Sequence, residues 1–110
     1  MSKKLRVIIT EGAKLDVRAI RDHIALDRPL AAAKWVREFQ RHARMLASLP
    51  LAFERIPEAD AIGAPYRHLL HGNYRIIYHV TPDAVRVVMV VSAARQLTPA
   101  ILKPPAPMDE

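Results

Sequence analysis

A chain of 110 residues, about half apolar and a quarter charged, has the composition of one folded domain, which excludes a multidomain enzyme and a disordered polymer. It contains no cysteine, which removes disulfides, thiolate metal sites and cysteine nucleophiles and fits a reducing cytoplasm. The formal charge of +6 is concentrated in residues 1–50, where 11 basic residues face 5 acidic ones, and such a field attracts nucleic acid, anionic membrane or an acidic protein.

The first element expected is a strand over Leu5-Arg6-Val7-Ile8-Ile9-Thr10, a short β-branched run stopped by Glu11-Gly12. It is far too short for a signal sequence or a membrane span, and the chain reads as cytoplasmic with no membrane partner. From Gly12 to Leu26 the apolar residues Ala13, Val17, Ile20 and Ile24 fall at helical spacing. Asp27-Arg28-Pro29 ends that helix and opens a second, because proline disfavours helical geometry before it and fits a first turn. The second stripe, Ala32, Val36, Phe39, Ala43 and Leu46, runs out before Pro50, so the two helices make a hairpin. Trp35 sits beside this stripe as packing. Lys34, Arg37, Arg41 and Arg44 recur at three- and four-residue steps and lie along one face, either as a solvated row or as a docking surface for an acidic partner.

Residues 51–65 hold Pro57, Gly63 and Pro65 without a sustained period and read as a long loop, of a length that is often functional. Two strand-like runs, 66–71 and 74–80, flank Gly72-Asn73 and predict a β-hairpin. After a turn at Thr81-Pro82-Asp83-Ala84, the run Val85-Arg86-Val87-Val88-Met89-Val90-Val91 is almost wholly apolar, as in a strand covered on both faces. The proline-rich residues 103–110 read as an extended or disordered tail after a domain spanning 1–102.

The order strand, two helices and three strands, with the run Arg67-His68-Leu69-Leu70-His71-Gly72-Asn73-Tyr74-Arg75-Ile76-Ile77-Tyr78 and a lone Arg95 past the last strand, resembles the RelE/ParE toxin superfamily of type II toxin–antitoxin, or plasmid-stabilisation, systems. The resemblance spans about residues 5–102. It implies an α+β fold, β-α-α-β-β-β, with a small curved and mainly antiparallel sheet packed against a helical hairpin. It also implies a cognate antitoxin, and a target that is DNA gyrase for ParE-like members or the ribosome and its mRNA for RelE-like endoribonucleases.

Cleavage at a ribose 2′-hydroxyl needs a proton acceptor, cations on the phosphate and a donor for the leaving oxygen. By the resemblance, Arg67, Arg75 and Arg95 match the cationic positions and are the candidate catalytic or phosphate-binding residues. Leu69 stands where a lysine is expected, Ile101 near where a terminal tyrosine lies, and Ser92 where many relatives carry histidine. Those departures favour a ParE-like toxin that grips its target over one that cuts. His68 and His71 fall on opposite faces of a regular strand, and with His79 they match no usual metal-ligand spacing, so neither metal nor cofactor is expected. Nor is there a glycine-rich phosphate loop or nucleophile elbow. The remaining alternative is a basic nucleic-acid-binding module, although tyrosines 66, 74 and 78 include at least two that face the core rather than forming a stacking platform.

Alternation along the run 74–80 puts Tyr74, Ile76, Tyr78 and Val80 on the more apolar, inward face and Arg75, Ile77 and His79 outward. Arg67 depends on the turn: a two-residue Gly72-Asn73 loop sends it to the tyrosine face, and a three-residue loop including His71 aligns it with Arg75. The longer loop is expected, and the resemblance implies that Arg67, Arg75 and Arg95 converge on the open face of the sheet or its rim, away from the helices. The Lys34, Arg37, Arg41 and Arg44 row is the expected antitoxin contact.

Overall fold

The computed structural model describes residues 4–105. The β-branched run becomes β1 (Arg6–Ile9), and the chain turns at Thr10 into α1 (Glu11–Ala25). The Thr10 hydroxyl oxygen accepts from the Ala13 N–H at 3.2 Å, satisfying one of the donors that every helix start leaves free. Pro29 opens α2 (Pro29–Met45) from its first turn, where a missing N–H costs nothing. A short helix, α3 (Ala59–Ile62), interrupts the segment expected to be all loop, and Gly63 closes it with φ at 82°. The remaining strands are β2 (Arg67–His71), β3 (Tyr74–Val80) and β4 (Ala84–Ser92).

The sheet order is β1-β4-β3-β2, with β1 parallel to β4 and the other pairs antiparallel. β1 is short, so it leaves the later part of β4 without a strand on that side. There α1 takes over: Asp16 Oδ2 accepts from the Val90 N–H at 3.0 Å. β4 carries an extra residue opposite Ile77 and Tyr78, since Ile77 pairs with Met89 and Tyr78 with Val87. Val88 and Met89 therefore both pack on the same side.

Each face of the sheet is covered. Under α1 and α2 lie Leu69, Ile76, Tyr78, Val85, Val87 and Val90, joined by Ala13, Trp35, Phe39 and Leu46 from the helices. Trp35 anchors this side, stacked on Phe39 and on the His71 ring and meeting Tyr74 edge-on. Its Nε1 is buried with no acceptor, and the His71 Nε2 lies 3.1 Å from the Trp35 carbonyl. The opposite face was expected to be open and is not. Ile77 and Val91 are buried there beneath Ile56, Ala59 and Ile62 from the α3 segment and Leu97 and Leu102 from the chain after β4. Tyr66 pins the end of that cover, its hydroxyl donating to the Lys103 carbonyl at 2.7 Å. The tail expected over 103–110 is thus tied down at its first residue, and residues 106–110 lie outside those described.

Candidate functional site

The hairpin turn decides where the arginines go. Gly72 has φ at 60° and Asn73 does not have positive φ, the combination of a two-residue II′ turn that only glycine enters freely at its first position. His71 then pairs with Tyr74, Leu70 with Arg75 and Arg67 with Tyr78. Directly opposed residues share a face, so the expectation that Arg67 and Arg75 lie together is corrected. Arg67 is on the tyrosine side, but β2 is an edge strand and its guanidinium escapes sideways, Nη1 donating to the Phe53 carbonyl at 2.6 Å. A carbonyl at the sheet edge satisfies a cation that could not be left bare in the core.

Arg75 points outward as the alternation requires, yet it is only 3 % exposed because the second cover closes over it. Its Nη1 and Nη2 donate to the two carboxylate oxygens of Glu58 at 3.0 and 2.5 Å. Nη2 also donates to the Arg95 carbonyl at 2.9 Å, and the Glu58 carboxylate takes the Leu97 N–H at 3.0 Å. The Arg75 guanidinium holds the Glu58 carboxyl down at about 2, against the cost of burial and with help from the Leu97 N–H. The positive charge of Arg75 is therefore spent inside the protein. Nothing in the sequence marked Glu58 as its partner: the residue sits 17 positions away in a segment without periodicity.

His68 lies beside this pair, with Nδ1 3.4 Å from Arg75 Nη1 and Nε2 3.8 Å from Glu54 Oε1. Burial first and the Arg75 charge second push its pKa below the ordinary histidine value, so the ring is neutral at pH 7. A neutral ring that faces a guanidinium N–H with Nδ1 has its lone pair occupied, and its proton is on the Glu54 side. A cavity of about 240 Å³ opens here, lined by Glu58, His68, Arg75 and the turn carrying Ala93, Ala94, Arg95 and Gln96. Arg95 is exposed at its mouth, the one of the three expected arginines whose side chain is free to meet another molecule. His68 and His71 stand on opposite faces, and among the described residues no three side chains gather to hold a metal.

The helical side offers a different surface. Lys34, Arg37, Arg41 and Arg44 are all exposed. At 100° per residue they occupy one flank of α2, and of the four Arg44 borders a groove between that helix, α1 and the free edge of β1. Val17, Val36 and Phe39 line one part of the groove, about 260 Å³, and Val7, Ala43 and Arg44 the next, about 410 Å³. The two parts share Ile9, Phe39 and Gln40, so the apolar floor is continuous. Lys14, Arg18 and Arg44 stand around its rim. No described helix is long and apolar enough to cross a membrane.

Comparison with known proteins agrees with this architecture. The chain superposes on a solved chromosomal ParDE toxin–antitoxin system from P. aeruginosa with a TM-score of 0.68 and 18 % identity, covering 81 % of this chain and 96 % of that one. It also superposes on the toxin–antitoxin complex RelBE2 from Mycobacterium tuberculosis with a TM-score of 0.56 and 19 % identity, covering 86 % and 98 %. At such identities these likenesses establish the fold. No curated protein sequence is similar enough to match. The family model of the ParE toxin of the type II toxin–antitoxin system parDE matches residues 7–97, nearly the whole domain from β1 to the turn beyond Arg95. The chain belongs to the ParE toxin family of type II toxin–antitoxin systems.

Proposed function

We propose that this toxin acts in the cytoplasm by gripping DNA gyrase, and that it is silenced by an antitoxin segment laid in the groove beside α2. The observation that carries the first half is the state of the Arg75 site. An RNA-cutting centre needs an unpaired base next to free cations, since a displaced proton must have somewhere to go. Here the Arg75 charge is neutralised by Glu58, and the one imidazole in the cavity already has its acceptor nitrogen against Arg75. What remains accessible is Arg95, a donor suited to contact rather than proton transfer. The test is to add purified toxin to gyrase and, separately, to translating ribosomes. The expected result is inhibited supercoiling or accumulated cleaved DNA, with ribosome-bound mRNA left intact. Cut mRNA at the same toxin concentration reverses the reading in favour of an endoribonuclease.

The groove supports the second half. Its continuous apolar floor suits the hydrophobic side of an amphipathic segment, and its cationic rim suits an acidic one. Rim charges act mainly on the rate of encounter, so reversing two of them should be felt as slower association. Arg18→Glu combined with Arg44→Glu is expected to weaken antitoxin binding on the order of ten- to hundredfold at low salt, and less at high salt. Surface plasmon resonance at two ionic strengths reads this directly. Unchanged association rates would place the antitoxin elsewhere and return the rim to a solvated surface.

A further inference from the structure

Arg95 is exposed, but the backbone that carries it is held from inside. After Ser92 the chain leaves β4 through a turn in which the Arg95 N–H donates to the Ser92 carbonyl at 3.0 Å and the Ala93 N–H to the Asn73 carbonyl at 2.8 Å. Beyond these local bonds, two contacts fix the outgoing chain. Arg75 Nη2 holds the Arg95 carbonyl and Glu58 Oε2 holds the Leu97 N–H. The same two side chains also hold each other, so the ion pair grips the chain on both sides of Gln96. Glu58 is thus bonded to β3 and to the outgoing chain at once, from a loop 39 residues before Leu97.

We infer that Glu58 is a positioning residue: through Arg75 and the Leu97 N–H it fixes the turn from which Arg95 is presented to the toxin's target. The inference rests on the reading that Arg95 touches that target. A contact residue on a surface turn loses rotational freedom when it binds, and a turn already fixed in the bound direction has less to lose. The Glu58 pair supplies that order without touching the target, and Arg75 serves the same purpose from the strand. This gives the buried ion pair a use other than stability, which a well-packed apolar pair could also provide.

A double-mutant cycle in the full-length toxin separates positioning from mere folding, because residues that act through one another give non-additive effects. The variants are Glu58→Gln, Arg95→Ala and the two together, with growth-arresting potency as the functional readout. Antitoxin affinity reads the opposite side of the molecule and serves as the control. Each single substitution is expected to lower potency about tenfold or more, and the double variant no further than Arg95→Ala alone, with antitoxin affinity within about threefold throughout. Additive losses, undiminished potency in Glu58→Gln, or a loss matched by falling antitoxin affinity would each overturn the assignment. Full potency in Arg95→Ala removes the target-contact reading and this inference with it, a result distinct from the others. If Glu58→Gln does not fold, Arg75→Lys takes its place: it keeps a cation opposite Glu58 but cannot fork to both the carboxylate and the Arg95 carbonyl, and the same non-additivity is expected.

Discussion

Arg75→Ala is expected to cost about 3–5 kcal/mol of stability, the range for removing one member of a buried ion pair. The side chains of Arg75 and Glu58 are 4 % and 7 % exposed, so neither charge has water to fall back on. Without the guanidinium, the Glu58 carboxylate keeps the Leu97 N–H as its remaining hydrogen-bond donor from another segment, and the Arg95 carbonyl loses its partner. A domain of this size has only about 5–15 kcal/mol to lose, so the change is a large fraction of the whole. The corresponding fall in Tm is on the order of 10–20 °C. Thermal denaturation followed by circular dichroism measures it. A drop of a degree or two would mean that the pair is solvated in solution and that Arg75 is available for other work. The result bears on every toxicity experiment at this position, because a toxin unfolded by the loss of Arg75 is harmless whether or not the residue meets the target. Arg75 is better understood through Glu58→Gln and Arg75→Lys, which keep more of the network.

The parts of the fold that were legible before the structure are those where one periodic stripe meets one core. Ala13 in α1 and Ala32, Phe39, Ala43 and Leu46 in and just after α2 are buried as their spacing requires. The nearly all-apolar character of β4 announced that both of its faces are covered, as they are. The same signal could have warned that the outward face of β3 is covered too, since Arg75 and Val91 are paired neighbours on it. What covers that face was hidden because α3 has four residues and the segment after β4 has no regular structure, so neither carries a period to read. The register of the β2–β3 hairpin turned on one backbone angle, the φ of Gly72, which a two-residue glycine-first turn satisfies without involving His71. That single residue moved Arg67 to the other side of the sheet. Candidate site residues on strands are only as secure as the turn before them, whereas the exposed row on α2 follows from helical geometry alone and appears where expected.

Acid should loosen this protein sooner than a neutral core would allow, with Glu58 as the principal cause below pH 5. Its carboxyl is held at about 2 in the folded chain by Arg75, against an ordinary value of 4.5. The unfolded chain therefore takes up the proton more readily, and the stabilisation, about 3 kcal/mol, is fully present above the ordinary value and lost as pH falls toward the folded one. Between pH 6 and pH 3 the loss from this group is about 2 kcal/mol. His42, His68 and His79 work in the same direction at milder acidity. Burial lowers all three, with further lowering from the neighbouring His71 and Arg41 at His42, from Arg75 at His68 and from Arg86 at His79. Their contribution is present above the ordinary histidine range and falls as pH drops through their depressed values. Asp16 opposes them: burial raises its carboxyl despite the Val90 N–H and the Arg95 charge, so its contribution is present at low pH and lost as pH rises through its folded value. Total stability against pH mixes these signs, and the Glu58 part is isolated by subtraction. The stability difference between the native chain and Glu58→Gln, measured by urea denaturation from pH 6 to pH 3, should shrink by about 2 kcal/mol. A difference that stays constant over that range would mean that Glu58 carries no paired charge in the folded toxin, and the clamp on the Arg95 turn would then be held by packing of Leu97 and Leu102 alone.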